Sequence, residues 1–325
     1  MVRISKPDSP YTSGSSPEST SAWQVALHRI GLTVLITGLY VGWFAGAVGW
    51  RTEHGGLLGL LLAGYWLGPR TRRWLWGLLP FLLFWVVYDS LRVWPNYSFR
   101  PVHIQDLYQL DKALFGIGSG PERQTAVEWL QGVRSTAWDA LAGLFYLTWV
   151  PIPLLVGIYW LNTRQSLYLR FAWAFLTVNL LGFVLYYVVP AAPPWYIAEY
   201  GYGFNPAATG NPAGLSRFDY WLGLPVFSGI YSKNANVFGA FPSLHAAYPV
   251  IVSHYVTTLR KGLPTVLCWL WAAGIWLAAV YSAHHYVIDV LGGIGCAITG
   301  IALLEGLRRT VWGRQFRRHL LNRIT

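Results

Sequence analysis

Apolar residues fill 54% of the 325 positions, aromatic residues 17% and charged residues only 11%, and the apolar ones come in long blocks. That balance excludes both a soluble globular domain and a disordered chain, and it predicts an all-α polytopic membrane protein. The net charge of +11 does not signal nucleic acid, because the basic residues cluster between apolar blocks, where they orient a membrane chain.

Residues 1–22 are rich in Ser, Pro and Gly, lack an apolar pattern, and read as a disordered cytoplasmic N-terminus. The block 25–48 is too long, and its leader too weakly basic, for a signal peptide, so it reads as a membrane anchor despite Ala45-Gly46-Ala47. With the shorter block 55–68 it forms an N-terminal membrane region over 23–73. Further spans are expected at 74–93, 136–160, 168–189, 241–260, 264–283 and 285–307, about eight in all at roughly 20 residues per crossing. A basic tail, 308–325, follows the membrane region 74–307. Basic clusters at 70–73, 260–261 and 308–323 put one side in the cytoplasm and leave the connections 94–135 and 190–240 on the opposite face. Cys268 and Cys296 lie inside expected spans as apolar thiols and imply no disulfide framework.

The span 74–93 ends on Asp89 and Arg92, an acid and a base at i, i+3. Ionisable groups at membrane depth are costly and mark function or a self-satisfying ion pair. In 94–135, Ile104, Leu107, Leu110, Leu114 and Phe115 share one helical face before Gly116, which predicts an amphipathic helix lying in the interface. His103 and Asp106 on its polar side read as solvated, and no metal site is expected. Asn96-Tyr97-Ser98 is a glycosylation sequon set too close to the membrane for use. The connection 190–240 is too long for a passive loop, and its density of Pro, Gly and aromatic residues predicts a packed lid carrying two permanent cations, Arg217 and Lys233.

Two histidine motifs organise the chain. One runs from Phe238 through Pro242-Ser243-Leu244 to His245, and the other from Ala283 through His284-His285 to Asp289; each opens an apolar segment on the non-cytoplasmic face. Helix N-termini carry unpaired N–H groups and partial positive charge, which suit a phosphate. His285 and Asp289, at i, i+4, are expected on one helix face. The carboxylate then accepts from one ring nitrogen and leaves the other to attack phosphorus. His245 fits a general acid and base for the leaving and attacking oxygens. His284 projects about 100° away and is expected beside the substrate at most. Neither motif calls for a metal or a cofactor.

On Pro242 to His245 and on His285-x3-Asp289 the chain resembles the type 2 phosphatidic acid phosphatase superfamily, which implies a six-helix core and a phosphohistidine mechanism. Leu244 stands where that superfamily usually has Gly. More narrowly, Pro193-Pro194-Trp195-Tyr196, Asn211 to Arg217, Phe238 to His245 and His284-His285-Tyr286 resemble inositol phosphorylceramide synthases of the aureobasidin-sensitive type. The superfamily's Ser-Arg pair before the third-motif histidine is replaced by Ala278-Ala279, and Val93 stands in place of the lysine before Arg100-Pro101. Phosphate-binding cations are therefore sought among Arg92, Arg100, Arg217 and Lys233, with Asp89, Ser243 and His284 as further substrate contacts. The resemblance implies transfer of a phospho-head-group, such as phosphoinositol from phosphatidylinositol, from a phospholipid donor to the hydroxyl of a lipid acceptor such as ceramide. It also implies an outward face in a bacterial plasma membrane or a Golgi lumen. Alternative readings are a lipid phosphatase or phospholipase using water, and a non-enzymatic transporter or scaffold. Oligomeric state is left open.

Overall fold

The computed structural model describes residues 22–324, so the N-terminal segment expected to be disordered lies, but for Ala22, outside the described residues. Among the described residues the architecture is helical, with isolated backbone bridges and no strands. Residues up to Leu62 and residues from Ala63 onward form two compact units.

In the first unit, α1 (Ala22–Trp43) continues through a wider turn at Phe44–Val48 and stops at Gly49, whose φ of 95° suits only glycine comfortably. Helix α2 (Thr52–Trp66) begins with the buried His54. Its ring packs at a tilt against Phe44 at 4.2 Å, its Nδ1 accepts from the Arg51 N–H at 3.0 Å, and its carbonyl accepts from Tyr40 Oη at 3.1 Å.

The second unit contains α3 (Pro69–Ser90), α4 (Gln105–Phe115), α5 (Ala126–Gly132), α6 (Thr136–Leu147), α7 (Pro151–Thr163) and α8 (Gln165–Val188). It continues with α9 (Pro194–Tyr200), α10 (Ser216–Leu222), α11 (Val226–Tyr231), α12 (Leu244–Leu259), α13 (Leu263–Tyr281), α14 (Val287–Arg309) and α15 (Val311–Ile324). A helix falls on each of the eight expected spans, with differences at their ends. Among the described residues, five segments suit a bilayer crossing by length and composition: Ala26–Val48, Thr136–Thr163, Gln165–Val188, Leu263–Tyr281 and Val287–Arg309. Helices α2 and α12, with 15 and 16 residues, rise only about 22–24 Å, and α3 carries arginines in its first turn and Asp89 in its last. The expected span 136–160 is broken at Thr148–Val150, because Pro151 cannot donate an N–H into a continuous helix and instead opens α7.

The core of this unit forms where α8, α12 and α14 meet around Phe171, Val178, Ile251, Tyr255 and Ala297. Two glycines set the spacing that matters for the histidines. A Cβ at Gly293 of α14 would collide with the Ser243 carbonyl, and one at Gly182 of α8 would come within 2.7 Å of Leu244 Cδ2. Leu244, the residue that departs from the superfamily signature, therefore fills a notch made by Gly182 and seats the start of α12 against α8.

The two long connections are stitched together. Ala191 N–H donates to Phe238 O and Ala191 O accepts from Ala240 N–H, while His103 N–H donates to Pro190 O and Ala192 N–H to His103 O, at 2.8–3.2 Å. The expected amphipathic helix is α4, and 190–240 is packed by α9, α10 and α11. The sequon residue Asn96 is buried and gives both amide hydrogens to Tyr186 O and Phe238 O at 2.8 Å. Its side chain braces the fold, which rules out a glycan in the folded state.

Candidate active site

Helix α12 starts at Leu244 because Ser243 caps it: its hydroxyl accepts from Ala246 N–H at 3.2 Å, and its own N–H donates to Asp289 O at 2.9 Å. Ser243 is thus a buried brace between the two motifs. The cap places His245 one residue inside the helix, with its ring edge-on to Trp149 at 4.6 Å and against Tyr146 at 5.1 Å.

His285 lies outside α14, in the turn Ser282–Tyr286. Ala283 takes a left-handed conformation there, φ 58°, uncommon without glycine. The N–H groups of His284 and His285 both donate to Ala279 O, at 3.1 and 3.2 Å, so the turn folds back on the end of α13. The expectation of a common helix face is corrected: the i, i+4 pair meets because the turn delivers His285 directly onto the first turn of α14. His285 Nε2 stands 3.2 Å from His245 Nδ1, and its Nδ1 faces Asp289 Oδ2 at 3.6 Å, longer than a hydrogen bond. Asp289 is fully buried and accepts from Tyr286 N–H at 2.9 Å through Oδ2; its Oδ1 and His285 Nδ1 have no hydrogen-bond partner. The contact between the rings is satisfied when His245 Nδ1–H donates to His285 Nε2. The proton of His285 then sits on Nδ1, facing the carboxylate. Burial lowers His285 to about 4 and His284 to about 3, so both imidazoles are neutral at pH 7.

His284 faces the lid. Its Nε2 donates to Pro212 O at 2.9 Å while its ring stacks on Tyr231 at 4.3 Å. Gly214 N–H to Ser282 O and Trp195 N–H to Ala283 O add two further ties between the 190–240 connection and the turn Ser282–Tyr286.

The four candidate cations are placed differently. Arg217 Nε donates to Asp139 Oδ1 at 2.6 Å, Tyr281 Oη donates to the same oxygen at 2.9 Å, and the guanidinium lies over the Tyr281 ring. One terminal nitrogen of Arg217 is buried without a partner, and it lies beside Gly214, which itself abuts Ser282 of the turn that carries His285. Arg92 pairs with Asp89 at 2.8 Å and donates to the Lys233 carbonyl at 3.2 Å, so this pair ties the end of α3 to the lid. Arg100 is exposed on the loop before α4.

Two acids escaped the sequence reading. Asp139 orients Arg217; an ionisable residue in the first turn of an apolar span was a visible signal. Asp111 of α4 is fully buried and accepts the Ile288 N–H at 3.0 Å through Oδ1, with Oδ2 unpartnered. It caps the first turn of the helix that carries Asp289. Burial raises its carboxyl to about 6, with Asp289 adding to the rise. Nothing in the amphipathic pattern of α4 distinguishes it from a solvated acid. Nearby, α5, α6 and α13 enclose an apolar groove of about 300 Å³ lined by Trp129, Leu141, Phe145, Leu277 and Tyr281.

Two imidazoles in contact, a buried carboxylate behind one of them and two helix starts in a bundle of apolar helices form the candidate site of an integral membrane phosphotransferase. The chain belongs to the PAP2 superfamily, whose profile matches residues 106–303, and within it to the inositol phosphorylceramide synthase type. It is similar to the phosphoinositol dihydroceramide synthase of Bacteroides thetaiotaomicron, 42% identical over 287 residues that cover 87% of this chain and 94% of that one. It is also similar to the inositol phosphorylceramide synthase of Candida albicans, 32% identical over 47% of this chain and 34% of that one. The catalytic subunit of the Saccharomyces cerevisiae enzyme is 27% identical over 69% and 55%. The chain thus spans about a third to a little over half of those two fungal proteins. No solved structure matches it.

Proposed function

We propose that this protein moves phosphoinositol from phosphatidylinositol to the hydroxyl of a ceramide-class lipid through a phosphohistidine at His285. The observation that carries this reading is the 3.2 Å approach of His245 Nδ1 to His285 Nε2, with Asp289 on the far side of the His285 ring. The hydrogen bond between the rings breaks and the rings move apart as the donor phosphorus enters between them. Nε2 of His285 attacks it, the bond to the diacylglycerol oxygen breaks, and protonated His245 gives its proton to that oxygen. The Nδ1–H of the phosphorylated ring faces Asp289, whose charge offsets the positive charge that develops there. Neutral His245 then takes the proton of the acceptor hydroxyl as its oxygen attacks phosphorus and frees His285. Arg217, held by Asp139 and Tyr281, is the cation we place on the phosphate, since a phosphate oxygen would satisfy its buried unpartnered nitrogen. The apolar groove and the tied-down lid favour a lipid alcohol over water.

Purified protein given labelled phosphatidylinositol should make diacylglycerol and an inositol phosphorylceramide only when ceramide is present, as read by lipid mass spectrometry. Release of soluble inositol phosphate at the same rate with or without ceramide would replace the transferase reading by a hydrolase. We place the site on the non-cytoplasmic face. In a background of Cys268→Ala and Cys296→Ala, Tyr220→Cys, at a position 91% exposed, and Gln315→Cys should react with an impermeant thiol reagent from opposite sides of the membrane. Labelling from one side refutes this placement.

A further inference from the structure

Helix α14 begins just after the catalytic turn and reaches Arg308 about 21 residues later, roughly 30 Å along its axis. A second constellation sits at that far end. Glu305 receives Arg170 Nε at 3.0 Å, Tyr255 Oη at 3.2 Å and a terminal nitrogen of Arg308, while Arg317 of α15 donates to Ser166 Oγ at 3.3 Å. Three arginines against one glutamate leave the cluster with two positive charges, and Arg308 Nε is buried with no partner. The same arginines rim a cavity of about 220 Å³ between α8, α14 and α15, whose remaining wall is apolar except for Thr177 and includes Trp173, Leu304 and Phe316. Along α8 the cavity extends from Arg170 to Thr177, about 10 Å at 1.5 Å per residue. The sequence from 308 to 325 holds six arginines and no acid.

A solvated basic tail needs no cavity beneath it, and an apolar cavity between helices needs no excess charge at its mouth. Together they have the two parts of a phospholipid site: uncompensated guanidinium groups at head-group level and a slot for the start of an acyl chain. We propose that α8, α14 and α15 bind an anionic phospholipid here, on the membrane face opposite the histidines, as a site separate from catalysis. Bound lipid would pin α15 to the bundle, because its phosphate would bridge Arg317 on α15 to Arg308 on α14.

The test uses the full-length protein in detergent with a phosphatidylglycerol bearing a diazirine on its acyl chain, compared with the matching phosphatidylcholine, and crosslinked peptides are read by mass spectrometry. Phosphatidylglycerol should label residues 165–177 and 304–320 at least fivefold more than phosphatidylcholine. Arg308→Gln with Arg317→Gln should erase that preference while ceramide-dependent turnover persists. Should the double variant fail to fold, Thr177→Phe, which fills the slot and leaves the charges alone, should cut the labelling of these peptides at least fivefold. Equal labelling by the two lipids, a preference that survives in the folded double variant, or unchanged labelling in Thr177→Phe overturns the proposal.

Discussion

Asp289→Asn isolates the charge behind the proposed nucleophile while keeping the shape of the site. The carboxylate oxygen that faces His285 Nδ1 at 3.6 Å is also the one that accepts Tyr286 N–H. An asparagine oxygen in the same place keeps that backbone bond and still presents an acceptor to the ring, so only the charge is lost. Two unit charges 3.6 Å apart interact by about 5 kcal/mol at an effective dielectric near 20. This is a ceiling of roughly three and a half decades in rate at about 1.4 kcal/mol per decade. The ring is neutral in the ground state and positive once phosphorylated, so the loss falls on the chemical step. We expect kcat to drop by ~10²–10³ with little change in KM. The assay is transfer of a labelled head group to ceramide by purified protein, with a thermal melt on the same preparation to show native folding. A folded Asp289→Asn enzyme within tenfold of the wild-type kcat would refute the electrostatic role, leaving Asp289 as a cap of α14 only.

His285→Ala should abolish turnover and any acid-labile phosphoenzyme, whereas His245→Ala should lose ~10²–10⁴ in rate and recover much of its first step with an aryl phosphodiester whose leaving group needs no proton. Rescue of His285→Ala instead would exchange the two roles. Asp111→Asn keeps an acceptor for Ile288 N–H and should stay within a few-fold of wild type; Asp111→Ala orphans that buried donor and should cost about 1–3 kcal/mol of stability and tenfold or more in kcat. Equal behaviour of the two variants would show that the cap does not position the site. The unfolded chain protonates His284 and His285 near their ordinary value of 6.5, whereas the native protein resists protonation of His285 to about 4 and of His284 to about 3. Stability should therefore fall as pH drops from 6.5 toward 4. Melts at pH 7.5 and 5 should show a lower Tm at pH 5, and less so in His284→Phe, which keeps a ring for stacking on Tyr231.

The sequence by itself determined the class of molecule: blocks of apolar residues with so little charge leave a chain no stable place except a bilayer, and helices fall on the expected spans because a lipid phase requires backbone groups to satisfy one another. It also singled out His245, His285 and Asp289 as candidates, because their types and spacing carry chemistry that few other patterns carry. Tertiary structure alone decided how they meet. His285 reaches Asp289 through a left-handed turn at Ala283 rather than along a helix, and Gly293 and Gly182 set how closely α12 lies to α14 and α8, which no periodicity encodes. The partners of the ionisable residues were hidden for the same reason. Asp111 and Ile288 are 177 positions apart and Asp139 and Arg217 are 78 apart, so whether each acid is solvated or buried against a catalytic element depends on a fold that brings distant segments together.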